Sequence, residues 1–503
     1  MRDLSIQFHN VNFSYDRATE ALFQDVSFHL ASGWTAIVGA NGAGKSSLLK
    51  LAMGILDPQQ GQITFPDHGI YCRQRTDHAP DRFFELINAT DRHAFRIKAK
   101  LGVEDEWFER WNSLSHGERK RAQIAVALWQ RPLALAVDEP TNHLDTRAQD
   151  HLFTALSDFR GVGMLVSHDR RLLDKLCQQC LFIEPPRVIL RPGNYSQGLH
   201  LACTEIATAK KQREQAISEY ARLKRTSSKR RGAASQANRL RSKGGLAKRD
   251  HDAREKIDSA RVSGKDGRAG SQLNQLQGRL SQAHQKMEAI TVKKEYKLGI
   301  WMPGAKSRRN VLFNLPAASL PLNADSYLNV PELNMQPDDR IGITGVNGSG
   351  KSTLIRQILK SLNIAQSQLT YVPQEIDLSA SQSILNQAKE LPNEKLGKMM
   401  TVVSCLGSRP QRLLESTTPS PGEVRKLLLA TGIANVPHLI IMDEPTNHLD
   451  LPSIECLEQA LSDCPCGLIL VSHDRRFMDA LVQTRWHITK QKKTSKDYIL
   501  EQQ

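Results

Sequence analysis

The chain has 503 residues, 40% of them apolar and 24% charged, the composition of a soluble globular protein with room for roughly three domains of about 150 residues. No run approaches the ~18–20 apolar residues of a membrane helix, and the opening MRDLSIQFHNVNF lacks the apolar core of a secretory leader, so a cytoplasmic protein without membrane insertion is expected. The net charge of +15 points to a polyanionic partner.

Eight cysteines in so long a chain do not make a disulfide framework. Cys177 and Cys180 form a lone CxxC, and Cys464 and Cys466 are not a standard ligand pair, so all are read as reduced, incidental thiols.

Two alternating, strand-like segments, IQFHNVNFSY and ALFQDVSFHL, open the chain and lead to TAIVGANGAGKSSLLKLAMG. Apolar strand, glycine loop and amphipathic helix follow one another there. Residues 39–46, GANGAGKS, fit G-x-x-x-x-G-K-[ST], and residues 345–352, GVNGSGKS, fit it again. Such glycines let backbone N–H groups face phosphates, the lysine neutralises phosphate charge and the serine hydroxyl reaches Mg²⁺. Two occurrences, each between a strand and a helix, are far more specific than one.

Further landmarks recur in the same order. Gln74 pairs with Gln374, Ser115 with Ser420, Asp138 with Asp443 and His168 with His473, the last three at a constant separation of 305 residues. A duplicated domain follows, with copies at 1–196 and 298–490, a segment at 197–297 between them and a short basic tail at 491–503. LSHGE at 114–118 and PSPGE at 419–423 each contain the S-x-x-E of a capping box before a helix-forming run. A helix start of this kind, with a hydroxyl and a glycine, is also a phosphate site. LALAVDEPTNHLD (133–145) and HLIIMDEPTNHLD (438–450) each end a buried strand in an aspartate beside Mg²⁺, and Glu139 or Glu444 follows where a general base polarises water. LVSHD, at 165–169 and 470–474, offers a histidine as phosphate sensor.

Assembled, these residues resemble the ATP-binding cassette family: an α/β fold of two P-loop NTPase cassettes joined by an antiparallel α-helical, coiled-coil-like linker. In that family two cassettes face each other head to tail, and each ATP lies between the P-loop of one and the signature loop of the other. The resemblance implies one site of Gly39, Asn41, Gly42, Gly44, Lys45, Ser46, Ser47, Gln74, Asp138, Glu139 and His168, with Ser420 and Gly422 opposite. The second would use Gly345, Asn347, Gly348, Gly350, Lys351, Ser352, Thr353, Gln374, Asp443, Glu444 and His473, with Ser115 and Gly117 opposite. Mg²⁺ would be held by Ser46, Gln74 and Asp138, and by Ser352, Gln374 and Asp443. Both sites keep base and sensor, so both are expected to hydrolyse ATP. Tyr15 is positioned to stack on adenine, whereas the matching position of the second copy is Pro321. Pro419 and Pro421 flank Ser420 and push their neighbours toward extended geometry, which alters the contact to the first ATP.

Two cassettes, no membrane domain and a charged connector resemble the ABC-F subfamily, whose members bind the ribosome and act in translation or displace ribosome-targeting antibiotics. Gln74 and Ser115 are only 41 positions apart, too few for the helical arm several housekeeping members insert there. The resemblance implies intramolecular cassette pairing in a monomer, with rRNA and peptidyl-tRNA as partners.

The connector carries most of the charge. Residues 200–297 hold 24 Lys and Arg against 10 Asp and Glu, +14 of the total +15. Leu273, Leu276, Leu280, Ala283, Met287 and Ile290 form a heptad seam, matched by Ile206, Ala209, Ala216, Tyr220 and Leu223, as in two antiparallel helices. A first helix of about 45 residues would reach roughly 65 Å. Arg222, Lys224, Arg225, Lys229, Arg230, Arg231, Arg239 and Arg241 lie in a stretch with no acidic residue, which suits RNA phosphate. Residues 250–258 instead pair their own charges at i,i+4. Without Phe or Trp in the segment, backbone and shape contacts to structured RNA fit better than base stacking. The tip is expected between Lys243 and Gly270, where glycines break the helices. An alternative reading is the ATPase subunit of a membrane transporter, which the covalent pairing and the basic connector disfavour. A DNA-repair or chromatin ATPase would call for zinc modules or far longer coiled coils.

Overall fold

The computed structural model describes residues 4–16, 21–142, 144–240, 265–289, 304–323, 325–374, 376, 378–406, 408, 413, 421–447, 449–491 and 496–503, with backbone alone at 233–240, 265–274, 378–380, 405 and 421. Met1–Gly198 and Tyr296–Gln503 form one unit, and Leu199–Glu295 a second.

The first half of the larger unit runs β1 (Ile6–Phe13), β2 (Phe23–Leu30), β3 (Gly33–Gly39), α1 (Lys45–Ala52), β4 (Gln60–Thr64), β5 (Gly69–Cys72), α2 (Phe83–Asn88), α3 (Arg92–Leu101), α4 (His116–Trp129), β6 (Ala134–Asp138), α5 (Thr146–Leu156), β7 (Val162–Val166), α6 (Arg170–Leu176), β8 (Cys177–Glu184) and β9 (Arg187–Pro192). The strands β6 and β7, ALAVD and VGMLV, are buried at every position. Continuous apolar runs of this kind belong to parallel strands covered on both faces. They pair in the order β5-β6-β7-β3-β8, all parallel, with β9 added antiparallel. β1 instead alternates buried and half-exposed positions and joins β2 and β4 in an antiparallel sheet over the same core.

The connector follows as α7 (Tyr195–Leu240), 46 residues, and α8 (Lys265–Ala289). At 1.5 Å per residue α7 extends roughly 70 Å. Within the smaller unit Ala216, Leu276 and Ala283 are buried, and Ile206, Ala209, Leu223, Leu280 and Met287 half-buried. The Tyr220 ring meets His284 edge-on at 5.2 Å. Side chains on the seam are thus the covered ones; Leu273's side chain, Ile290 and the self-paired stretch 250–258 lie outside the described residues. Gly267 and Gly270, expected to break a helix, are inside α8, because isolated glycines lower helix stability by only about 1 kcal/mol each.

The second half repeats the first: β10 (Phe313–Leu315), β11 (Ala318–Asn323), β12 (Ser326–Val330), β13 (Leu333–Met335), β14 (Arg340–Gly345), α9 (Lys351–Ser361), β15 (Leu369–Val372), α10 (Leu378–Lys389), α11 (Asn393–Cys405), α12 (Pro421–Ala434), β16 (Leu439–Asp443), α13 (Leu451–Ser462), β17 (Gly467–Val471), α14 (Arg475–Leu481), β18 (Thr484–Lys490) and β19 (Tyr498–Gln502). The parallel order β15-β16-β17-β14-β18 reproduces that of the first half. α12 starts at Pro421, where the missing N–H costs nothing. One expectation is corrected. Residues 491–503 are not a tail throughout, because β19 pairs antiparallel with β18 and parallel with β12 and buries Leu500. The α/β class is as the sequence implied, two P-loop cassettes with a long helix between them. Among the described residues no helix is long and apolar enough to cross a membrane.

In each half the glycine loop leaves the carboxyl end of the central strand, β3 or β14, and the aspartate ends the strand two positions away in the sheet, β6 or β16. Ligands of open α/β sheets bind at these strand ends.

Candidate functional site

Neither α1 nor α9 has a side-chain cap. Their N-cap residues, Gly44 and Gly350, both stand at φ 96°, a left-handed backbone that glycine alone enters freely. Gly42 and Gly348, both at φ 78°, have nothing within 4 Å of where a Cβ would lie. The helix N–H groups there are left for an anion. Lys45 Nζ donates to Gly39 O at 2.9 Å and Ala40 O at 3.2 Å, and Lys351 Nζ to Gly345 O at 2.7 Å and Val346 O at 3.2 Å. Each lysine curls over its own loop. Burial lowers the pKa of both.

Ser46 Oγ donates to Asp138 Oδ2 at 2.6 Å, and Ser352 Oγ to Asp443 Oδ2 at 3.2 Å. A hydroxyl and a carboxylate at that spacing, both hard oxygen donors, suit Mg²⁺. The next residues, Glu139 and Glu444, are buried and hold φ of 46° and 50°, a backbone costly for a side chain this size. Hydrogen bonds from their N–H groups to Val166 O (2.9 Å) and Val471 O (2.8 Å) fix that geometry. Among the described residues, Glu139 Oε2 and Glu444 Oε1 are buried without a hydrogen-bond partner. Orphaned acceptors beside a phosphate loop fit a site built for nucleotide, metal and water.

His168 Nε2 lies 2.9 Å from Glu139 Oε1, and His473 Nε2 3.5 Å from Glu444 Oε1. The two glutamates are shifted in opposite directions. Burial pushes Glu139 up, but His168, Lys45 and Lys120 together outweigh it and hold the carboxyl below its ordinary value. Burial, aided by Asp443, pushes Glu444 up to about 8 against the pull of Lys351. His473 is drawn down to about 4 by burial and by Lys351.

Two cavities contain these groups. The first, about 850 Å³, is lined by Tyr15, Asn41, Gly42, Gly44, Lys45, Ser46, Ser47, Gln74, Asp138, Glu139 and His168, with Gly422 of the second half opposite. Tyr15 is exposed, and its hydroxyl shares a 2.8 Å hydrogen bond with Ser47 Oγ. Ser420 lies outside the described residues. The second cavity, about 470 Å³, is lined by Asn347, Gly348, Gly350, Lys351, Ser352, Thr353, Gln374, Glu444 and His473. Opposite them stand Thr141, Asn142, Leu144, His168 and Asp169 of the first half. Ser115 and Gly117 do not line it. Ser115 closes a capping box with Glu118 at the start of α4, and the neighbouring His116 lines the first cavity. Leu322, rather than Pro321, lines the second cavity.

Several site residues are not evident from the sequence. Tyr71 donates to Asp138 Oδ2 at 2.9 Å. Lys120, buried in α4 and lowered by that burial to about 8, donates to Arg73 O and to Asp138 O at 2.9 Å. Its repeat equivalent Arg425 bonds Pro373 O at 2.8 Å, Gln374 O and Asp443 O at 3.2 Å. Each cation clamps the glutamine loop to the strand end that carries the aspartate. Asp450 Oδ2 accepts from Asn41 N across the two halves at 2.7 Å. The repeated 305-residue separation was the only signal for Lys120 and Arg425. Of the eight cations expected to meet RNA, Arg222, Lys224, Arg225, Lys229, Arg230 and Arg231 are exposed along α7; Arg239 is described by its backbone alone, and Arg241 lies outside.

A family model described as ABC transporter matches residues 23–142 and 328–447. The chain is 28% identical over 494 residues to the ribosome protection protein VmlR of Bacillus subtilis (strain 168), covering 94% of this chain and 85% of that protein. It is 28% identical over 504 residues to the probable ATP-binding protein YheS of Escherichia coli (strain K12), covering 88% and 72%. The ATP-binding protein Uup of Caulobacter vibrioides is 26% identical over 478 residues, covering 89% and 71%. Among solved structures the RNase-L Inhibitor superposes with a TM-score of 0.63 at 17% identity, over 98% of this chain and 90% of that one, a likeness of fold.

Proposed function

We propose that this chain, which belongs to the ATP-binding cassette family as a tandem pair of ABC-F type and is an ATPase, acts on the ribosome through its basic connector. Cassette 1 spans 1–196, the linker 197–297 and cassette 2 298–490 extended by β19. The observation that carries the reading is the row of six exposed cations between Arg222 and Arg231 on α7, with no acidic residue among them. Phosphate backbone is the partner such a row fits, and a relative spanning 94% of the chain is named a ribosome protection protein.

At each site the loop N–H groups and Lys45 or Lys351 bind the triphosphate. Ser46, Gln74 and Asp138, or Ser352, Gln374 and Asp443, would hold Mg²⁺, which neutralises charge on the transferring phosphoryl group when bound. Glu139 or Glu444 takes the proton of the attacking water at Oε1 or Oε2, and His168 or His473 orients that carboxylate and senses the γ-phosphate. Tyr15 stacks on adenine in the first site, and the opposite cassette closes that site through Gly422 and Ser420; ATP would draw Ser115 and Gly117, which do not line the second cavity in this structure, against the second. ATP binding joins the cassettes and commits the connector beside peptidyl-tRNA; hydrolysis releases it and so modulates translation in the cytoplasm.

Glu139→Gln with Glu444→Gln is expected to hold the protein on ribosomes in ATP, read by co-sedimentation through sucrose. Unimpaired ATP binding with no retention would refute the reading. Growth of a susceptible host across ribosomal antibiotics separates ribosome protection, which raises an inhibitory concentration, from a housekeeping role, which raises none.

A further inference from the structure

The connector helix starts inside the cassette unit, and its first turn is bound to both cassettes. Tyr195 is 1% exposed, and its hydroxyl donates to Glu455 Oε1 of α13 at 2.8 Å. Ser196 N and Oγ donate to Asp174 of cassette 1 at 2.7 and 2.6 Å, while Arg476 of cassette 2 reaches Ser196 Oγ at 3.1 Å. Beside them Arg170 of α6, also 1% exposed, pairs with Glu458 of α13 at 2.6 Å. Both nucleotide sites border this cluster. Asp450, which accepts from Asn41 of the first phosphate loop, also caps α13 through Ser453 N at 3.0 Å, five residues before Glu455. Arg476 follows His473 of the second site by three residues.

The duplication supplies an internal control. Across the repeat Arg475 is the equivalent of Arg170, and Asp150 that of Glu455. These two meet at 3.8 Å with both side chains exposed. Among the described residues, these buried contacts are on the side where the connector helix begins. A hydrogen bond whose partners sit on different cassettes is either made or broken as the cassettes join and part, so it reports that state in two values.

We propose that Tyr195 and Ser196 are positioning residues that latch the root of the connector helix to Glu455 and Arg476 of cassette 2 when ATP joins the cassettes. The latch rests on the reading of the connector as the element driven by ATP. It explains how a helix that is covalently part of cassette 1 takes its instruction from cassette 2. Tyr195 touches no reacting atom, and its role is to transmit the joined state to the helix.

The test uses the full chain with Glu139→Gln and Glu444→Gln, so that ATP is bound and not consumed, and follows hydrogen exchange of peptides spanning 196–204 with and without Mg-ATP. ATP is expected to slow exchange there by about tenfold or more, the factor of one hydrogen bond to a charged group. Tyr195→Phe and Glu455→Gln are each expected to remove most of that gain, and the double variant to lose no more than either single one. Arg475→Ala, on the repeat-equivalent face, is expected to leave it intact. No ATP-dependent slowing in the parent, or slowing that survives both Tyr195→Phe and Glu455→Gln, would overturn the latch. Slowing that persists in a chain no longer retained on ribosomes would refute the proposed function and leave the latch standing.

Discussion

Asn41 of the first phosphate loop donates its backbone N–H to Asp450 of the second cassette at 2.7 Å, and the same carboxylate caps α13. One buried aspartate therefore stabilises a helix end and joins two cassettes. Burial works against its charge, but the Ser453 and Asn41 hydrogen bonds and Lys426 outweigh that and hold its pKa below the ordinary value.

The sign of the pH effect follows. A carboxyl whose folded pKa is depressed adds stability that is complete above its unfolded value, near 3.8, and lost as pH falls through the folded value. Asp450→Asn keeps a competent N-cap and removes the charge. Its melting temperature is expected to lie below the parent's at pH 7, by the equivalent of about 1 kcal/mol, and the gap to close below pH 3.8.

The two general-base candidates are set up unequally. Ser46 is nearer its aspartate than Ser352, and His168 nearer its glutamate than His473. Glu139→Gln is expected to lower ATP turnover on the order of 10²-fold, the low end of a general base's contribution, and Glu444→Gln to cost less. Steady-state phosphate release from the two single variants checks the ranking.

Adenine grip should differ between the sites. Tyr15→Ala is expected to weaken ATP binding by about 1–3 kcal/mol, as for other base–aromatic stacks. Leu322→Ala, which removes no aromatic face, should change it by less. Equilibrium titration with a fluorescent ATP analogue, in Lys351→Ala for the first site and Lys45→Ala for the second, isolates each.

Removing charge from α7 should change salt dependence more than specificity. Lys229, Arg230 and Arg231 replaced by alanine are expected to lower the slope of log affinity against log salt by roughly 0.7–0.9 for each phosphate that is no longer neutralised. Ribosome co-sedimentation over a range of KCl concentrations measures it. An unchanged slope would remove these three residues from the interface.

Much of both sites was legible because glycine, lysine and carboxylate at fixed spacing dictate backbone conformation and charge directly. Gly44 and Gly350 share one φ to the degree because their loops share one sequence pattern. Lys120 and Arg425 were not legible, since a cation inside an amphipathic helix looks like a solvated one until the fold buries it against backbone carbonyls. Asp450 was read with the metal segment that precedes it, and only the approach of the other cassette reveals Asn41 as its partner. The short apolar strand Tyr498–Gln502 was obscured by the basic residues before it. Leu322 lines the second cavity, one residue from the position that counting selected.

The left-handed backbone at Glu139 and Glu444 has a further meaning for protein engineering. Each costs about 1–3 kcal/mol, and Glu139→Gly or Glu444→Gly would relieve it while deleting the proposed base. A screen that rewards heat resistance alone should enrich glycine at these two positions first and return robust, inert proteins, so any thermostable version of this chain has to be selected with turnover as a simultaneous criterion.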